Sequence, residues 1–410
     1  MDIGSLIAAA LLSLGLIGAD AVVNGGNVVF QVEVTKRLAD KGYTPLVVDA
    51  LLDSDLKSVV EFRSIVHRTR IRSAENKSIV GALAEALNLK DVTGAFQSEF
   101  GLDSIRLIGS LMDGQTGEFR FILGGQSLHT GKFAVDMTSK DKQTLPDFLD
   151  EVATTIATHL EPYAVAIEQF HILQRKNKYL EDDADHAAFQ AFVIDQVNQE
   201  TEDSGSNDDR AAFYNLLGMA SLLYHEHDCA KLQFERAVKT DPRLGIPELN
   251  LAVLALAERR FDDAIRLATS AENNSRLPDK AFLTANTRTV IGLAWWGKGD
   301  ARAAAEQFRL AVTAYPGSMW GYFYWSELLA TVGDKDSAAV LAARAEHNLQ
   351  IFESYTEVAL MYVRIDPAHG FRLSRVDIAR TRHLSDLQPD PKELNDQDAI
   401  AATTHTCKLL

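Results

Sequence analysis

Alanine recurs in register through the second half of this chain, and no other feature restricts the fold as much. Residues 230, 264, 304 and 338 are alanine, and so are 237, 271, 311 and 345, both sets spaced by 34, 40 and 34 residues. One unit therefore repeats four times, with six extra residues in the middle. With Ala211 as its first position, the later units begin at Gly245, Ala285 and Met319. The seventh position reads Leu217, Leu251, Ile291 and Trp325, and the eighth Gly218, Ala252, Gly292 and Ser326. The twenty-fourth reads Phe234, Ala268, Phe308 and Ala342. Small residues at the eighth and twentieth positions let two antiparallel helices approach closely, while large apolar ones fill the space between hairpins. Gly299-Asp300 and Gly333-Asp334 supply turns, because glycine accepts the left-handed backbone at a helix end. Pro242 and Pro316 close the first and third units. The bland alternative is an irregular helical bundle whose periodicity is chance.

This pattern resembles the tetratricopeptide repeat. The resemblance covers residues 211–352 and implies an all-α solenoid of four helix hairpins. Three positions depart from the family: Glu248 and Arg288 stand where a large aromatic is usual, and Arg276 where proline is usual. The six extra residues, around Asn273 to Leu283, lengthen a helix or bend the solenoid. In the family, the first helices of the units line a concave face that takes an extended peptide or a partner helix. Carried over by position, that face presents Asn215, Met219, Asn250, Val253, Thr289, Trp296, Trp320, Phe323, Tyr324 and Glu327 as partner-binding candidates. Asparagines bond to a peptide backbone, and aromatics anchor it at small entropic cost. The positions carried over hold neither lysine nor arginine, so a clamp for a terminal carboxylate is not expected. A structural reading competes: Trp320, Phe323 and Tyr324 pack against the C-terminal segment as a cap.

The 410 residues are enough for two or three domains with a sizeable core. A net charge of −16 argues against a nucleic-acid partner, since a phosphate-binding surface needs a basic excess. The basic run His67 to Arg72 is short and reads as a solvated helix face. Cys229 and Cys407 are the only cysteines, so no disulfide framework is expected.

From the start, Ile3 to Ala19 carries no charge and is bracketed by Asp2 and Asp20. At roughly 1.5 Å per residue in a helix it falls just short of a bilayer's hydrocarbon core. Residues 1–23 therefore read as a single-pass membrane anchor, as a cleaved signal-like segment (though without the positive n-region), or as a buried core helix. The next positive charges, Lys36 and Arg37, favour a cytoplasmic body by the positive-inside rule. Residues 27–180 then read as an α+β domain. It has a strand over Val28 to Val34, and Thr44-Pro45 opens a helix to about Val66. Ser78 to Leu87 is a further helix. Strands over Ile105 to Met112, Glu118 to Leu123 and Gly131 to Met137 suggest an antiparallel meander, and Leu145 to Tyr179 returns to helix.

The layout resembles bacterial membrane-anchored proteins in which an α+β domain precedes a tetratricopeptide array, carried here by the stretch VTKRLADKGYTPLVVDALL. That resemblance implies an architecture and no activity. The order also resembles the small domain ahead of repeats in some bacterial membrane-bound transcriptional regulators, where an Asp-x-x-Thr-Gly turn joins two strands. Residues 181–210 read as a connecting helix (Ala187 to Asn198) and an acidic, mobile linker. Residues 353–375 read as a capping helix, formed by Glu353 to Val363, and 376–410 as a mostly disordered tail.

His225-Glu226-His227-Asp228-Cys229 is the one cluster with metal-ligand residue types, but histidines two apart do not share a helical face. No metal, cofactor or catalytic constellation is expected, and Cys229 reads as packed between helices. The resulting expectation is a non-enzymatic, membrane-tethered scaffold or adaptor that binds a protein partner. The competing class is a small-molecule-sensing accessory protein acting through its α+β domain. A polar pocket between sheet and helices would favour sensing, and a solid apolar core the adaptor.

Overall fold

Proline placement sets the helix starts in the first half of the chain. Pro45 opens a helix, and Thr144 ahead of Pro146 caps another by accepting from the Asp147 N–H at 3.3 Å. The computed structural model describes residues 28–60, 64, 105–114, 117–127, 131–176, 183–202, 207–276, 280–350, 357–366, 370–373 and 383. The chain forms two units, Met1–Phe62 with Thr69–Val165, and Arg63–Arg68 with Ala166–Leu410. The expected anchor over 1–23, the helix over Ser78 to Leu87 and the tail beyond Leu373, apart from His383, lie outside the described residues. Among the described residues no helix is long and apolar enough to cross a membrane.

In the first unit, strands β1 (Val28–Val34), β2 (Ile105–Asp113), β3 (Phe119–Ser127) and β4 (Gly131–Thr138) form one sheet in that order. β2, β3 and β4 make the expected antiparallel meander, whereas β1 pairs parallel to β2, with Phe30 opposite Leu107. The crossover between them contains α1 (Lys36–Asp40) and α2 (Pro45–Val60). Alternation puts Phe30, Val32, Leu107, Leu111, Phe121, Leu123 and Val135 on the buried face. Against it lie α2 and α3 (Leu145–Leu160), which bring Val48, Leu52, Leu56, Phe148, Leu149, Val152 and Ile156. These side chains fill the space between sheet and helices with apolar contact. Asp49 of α2 accepts from the Val32 N–H at 3.2 Å, covering part of the outer edge of β1.

The helix expected from Leu145 to Tyr179 is two helices. It breaks at Glu161 (φ −141°), and α4 (Pro162–Lys176) starts at Pro162, which has no N–H to continue the ladder. The acidic stretch after Asn198 is also more ordered than expected. α5 (Asp183–Glu202) runs into it and α6 (Asn207–Leu223) begins inside it, leaving 203–206 outside the described residues. Asp209 in the first turn of α6 suits the positive end of its dipole.

The second unit contains the repeats as four hairpins. α6 packs on α7 (His227–Thr240), α8 (Ile246–Ala257) on α9 (Phe261–Asn274), α10 (Lys280–Gly297) on α11 (Ala301–Ala314), and α12 (Met319–Thr331) on α13 (Lys335–Gln350). All eight alanines of the register are buried, on the second helix of each hairpin. Gly218 and Gly292 sit under the rings of Phe234 and Phe308, where a methyl group would overlap the ring. Small at position eight thus answers large at position twenty-four in the first and third hairpins.

The fifteenth position of every unit takes left-handed backbone: His225 (φ 60°), Arg259 (φ 60°), Gly299 (φ 85°) and Gly333 (φ 93°). Each loop closes with the same hydrogen bond back across five residues, from Glu226 N to Ser221 O, Arg260 N to Ala255 O, Asp300 N to Trp295 O and Asp334 N to Leu329 O. Two of the four loops therefore adopt the glycine geometry without glycine.

Two of the three departures, Arg276 and Arg288, tie neighbouring hairpins together, and Glu248 ties the two helices of its own hairpin. The Arg276 guanidinium reaches the buried Asp241 carboxylate at 2.9 Å, and its N–H donates to Arg243 O at 3.0 Å. Arg288 pairs with Glu272 at 3.0 Å, and Glu248 interacts with Ser270 and Arg266. Five of the residues ahead of Ala285 add turns to the start of α10, so the insertion lengthens a helix.

Candidate functional site

The first helices of the hairpins line the inner face of the array, and the chain's own residues 357–366 and 370–373 lie against them. The expected cap over Glu353 to Val363 is not an α-helix in its described part. Ala359–Tyr362 is a single 3₁₀ turn, followed by the antiparallel strands β5 (Val363–Asp366) and β6 (Gly370–Leu373). Val358 to Val363 are six consecutive buried residues. An α-helix would turn part of that run toward solvent. An extended or 3₁₀ path buries every side chain but leaves main-chain groups that need partners from elsewhere.

Those partners are the candidate residues. Asn250 is fully buried and donates through Nδ2 to Glu357 O at 2.8 Å and to Asn215 Oδ1 at 2.9 Å. Its Oδ1 accepts from the Ala359 N–H at 2.8 Å. Asn215, equally buried, donates to the same Glu357 carbonyl at 3.1 Å. Two asparagines on neighbouring first helices thus read one carbonyl and the N–H two residues on. Removing such a partner from a buried main-chain group costs about 1–3 kcal/mol. Met219 flanks the pair, with Sδ 3.6 Å from Asn250 Nδ2. Val253 is buried, and the Thr289 hydroxyl donates to Ala285 O within its own helix at 2.7 Å.

On the fourth hairpin the Tyr324 hydroxyl donates to Val363 O at 2.9 Å. Burial pushes this phenol well above its ordinary range, so it stays a donor at any physiological pH. Trp320 stacks on Tyr324 with ring centroids 6.1 Å apart, and Phe323 meets Tyr324 edge-on at 5.0 Å. The guanidinium carbon of Arg364 lies 5.9 Å from the centre of the Trp320 ring, while Nη1 donates to Met361 O at 3.0 Å and to Val363 O. Trp296, half-buried, meets Phe371 edge-on at 6.0 Å. Glu327 is half-buried, and burial raises its carboxyl above the ordinary range.

The structure thus brings Asn215, Met219, Asn250, Trp296, Trp320 and Tyr324 into contact with residues 357–366 and 370–373 or with each other around them. The sequence reading missed Gln174, whose amide donates to the Tyr362 hydroxyl at 2.9 Å, as well as Arg364 and Phe371. The available signal was the unbroken apolar run Val358 to Val363, too short and too uniformly apolar for a surface helix. Before the first hairpin, α5 packs on α6, and the His186 ring stacks on Tyr224 at 3.8 Å. Elsewhere, His225 and His227 have ring centroids 6.5 Å apart, and no three-ligand metal cluster occurs among the described residues. Cys229 is buried at the start of α7 and is not a free thiol.

No protein-family model matches the chain, and no curated protein matches it. Solved structures similar to part of it include PilF of Pseudomonas aeruginosa, 14% identical with a TM-score of 0.36, over 48% of this chain and 81% of that one. BtubC (BKLC) of P. vanneervenii is 17% identical with a TM-score of 0.39, over 49% and 87%. MamA of Desulfovibrio magneticus RS-1 is 15% identical with a TM-score of 0.32, over 46% and 97%. The helical-hairpin repeat of the second unit is seen in the four hairpins and their common loops, independently of these similarities.

Proposed function

We propose that this chain is a non-catalytic protein-interaction scaffold whose repeat array takes up a protein segment on the inner face of its first helices. The observation that carries the reading is the asparagine pair. Asn215 and Asn250 spend their amides on main-chain groups of a segment that is not α-helical, which is the chemistry of peptide capture. The apolar fill between sheet and helices of the first unit supports an adaptor rather than a small-molecule sensor. In this reading the uncharged run Ile3 to Ala19 tethers the scaffold to a bacterial membrane, with the body on the cytoplasmic side, and raises the local concentration of its partner there.

The test is photocrosslinking of the full chain with a photoreactive residue at position 296, at the hollow, or at position 340, on the exposed face of α13. A partner recovered from position 296 and lost with Trp320→Ala/Phe323→Ala in a folded protein supports the reading. A partner recovered only from position 340 contradicts it.

A further inference from the structure

The geometry points to residues 357–366 being a displaceable ligand of the hollow held in cis, which defines the protein segment that a partner must present. The inference rests on the scaffold reading above and gives it a recognition pattern. At one end, a carbonyl and the N–H two residues on meet the asparagine pair. Six residues after that first carbonyl, a second one meets the Tyr324 hydroxyl. The next residue is a cation whose guanidinium lies over Trp320. Between them runs a stretch of apolar side chains, all buried. A partner matching this pattern is an apolar segment of eight residues, not α-helical, that ends in arginine.

Main-chain recognition makes the hollow tolerant of sequence between its anchor points, because a carbonyl and an N–H are the same in any residue except proline. The anchor points themselves are specific. An arginine offers a flat cation to the indole face and several donors to nearby carbonyls, and a lysine does not reproduce that fork. A segment joined to the array by its own chain competes at high effective concentration, so an outside segment binds weakly until the resident one is loosened. The cis segment therefore sets a threshold for capture, and its own residues fix the height of that threshold.

The experiment uses the full chain and a fluorescein-labelled synthetic peptide of residues 357–366, read by anisotropy. Tyr362→Ala/Arg364→Ala in the protein weakens the resident segment and leaves the hollow untouched. The expected result is at least tenfold tighter peptide binding to this variant than to the unmodified protein. A peptide carrying Arg364→Ala is expected to compete at least tenfold less well. Equal binding to both proteins, or none to a variant that still melts cooperatively, overturns the inference.

If the variant does not fold, hydrogen exchange of the unmodified protein decides. Exchange of the Ala359 amide through an opening that spares α8 supports displacement, and exchange only with global unfolding overturns it. Concentration-dependent dimers that trade the segment between copies overturn cis occupancy as the resting state. A crosslinked partner at position 296, together with a peptide that fails to bind, would leave the scaffold reading standing and remove this one.

Discussion

The interiors of the hairpins and the hollow that the hairpins line are packed by different rules. Inside a hairpin, contacts recur every unit: small residues at fixed positions admit the neighbouring helix, and Phe234 and Phe308 fill the space above Gly218 and Gly292. In the hollow nothing recurs. Asn215 and Asn250 share the Glu357 carbonyl, while Tyr324 and Trp320 meet Val363 and Arg364, all on one segment more than thirty residues away in sequence. Repetition builds the frame, and single aperiodic residues decide what the frame holds.

The largest break in this comparison comes from the frame. Phe308→Ala removes the ring over Gly292 and is expected to cost about 3–5 kcal/mol, read as a lower denaturation midpoint. Substitution in the hollow should act more locally. Asn250→Ala leaves the Ala359 N–H and the Glu357 carbonyl short of a partner, for a loss of about 1–3 kcal/mol. Limited proteolysis would then show earlier cleavage within residues 357–366, with the hairpins intact.

The common loops sharpen the comparison further, since the same geometry is held by different residues. Gly333→Ala forces a side chain into left-handed backbone and should cost about 1–2 kcal/mol. Arg259→Gly should instead gain up to about 1 kcal/mol, less the extra entropy of the unfolded glycine. A chemical-denaturation series on the four fifteenth positions reads both signs.

The smallest effect concerns Glu327. Its folded pKa is raised by burial, so its contribution is fully present below the unfolded value near 4.5 and is lost as pH rises through the folded value. Glu327→Gln is therefore expected to stabilise at pH 7 by no more than about 0.5 kcal/mol, given partial solvent screening, and to change nothing below pH 4.5. Urea midpoints at the two pH values check this.

What was legible follows from the same contrast. The alanine register, the glycine turns at 299 and 333 and the strands β2 to β4 are local or periodic signals, and they can be read from one sequence. The left-handed backbone at His225 and Arg259 has no residue signature, because the loop geometry is imposed by the two helices it joins. Parallel pairing of β1 with β2 joins strands some seventy residues apart and leaves no local mark. The inner-face positions of Asn215 and Asn250 could be carried over from the repeat, but their bonding partners could not. Those partners are main-chain groups, which have no side-chain identity to recognise. Val358 to Val363 read as a helix because a short apolar run fits either period, and the hollow resolves it as a 3₁₀ turn and strand.

The most direct test of the account is the exchange rate of the Ala359 amide proton, followed by NMR in the unmodified protein and in Asn250→Ala. If the asparagine pair holds this segment by its main chain, the amide is protected in the first protein. In the variant it exchanges at least tenfold faster, while amides within α8 and α10 keep their rates. Equal protection in both proteins would show that the segment is held by side-chain packing alone, and that the hollow does not read a peptide backbone.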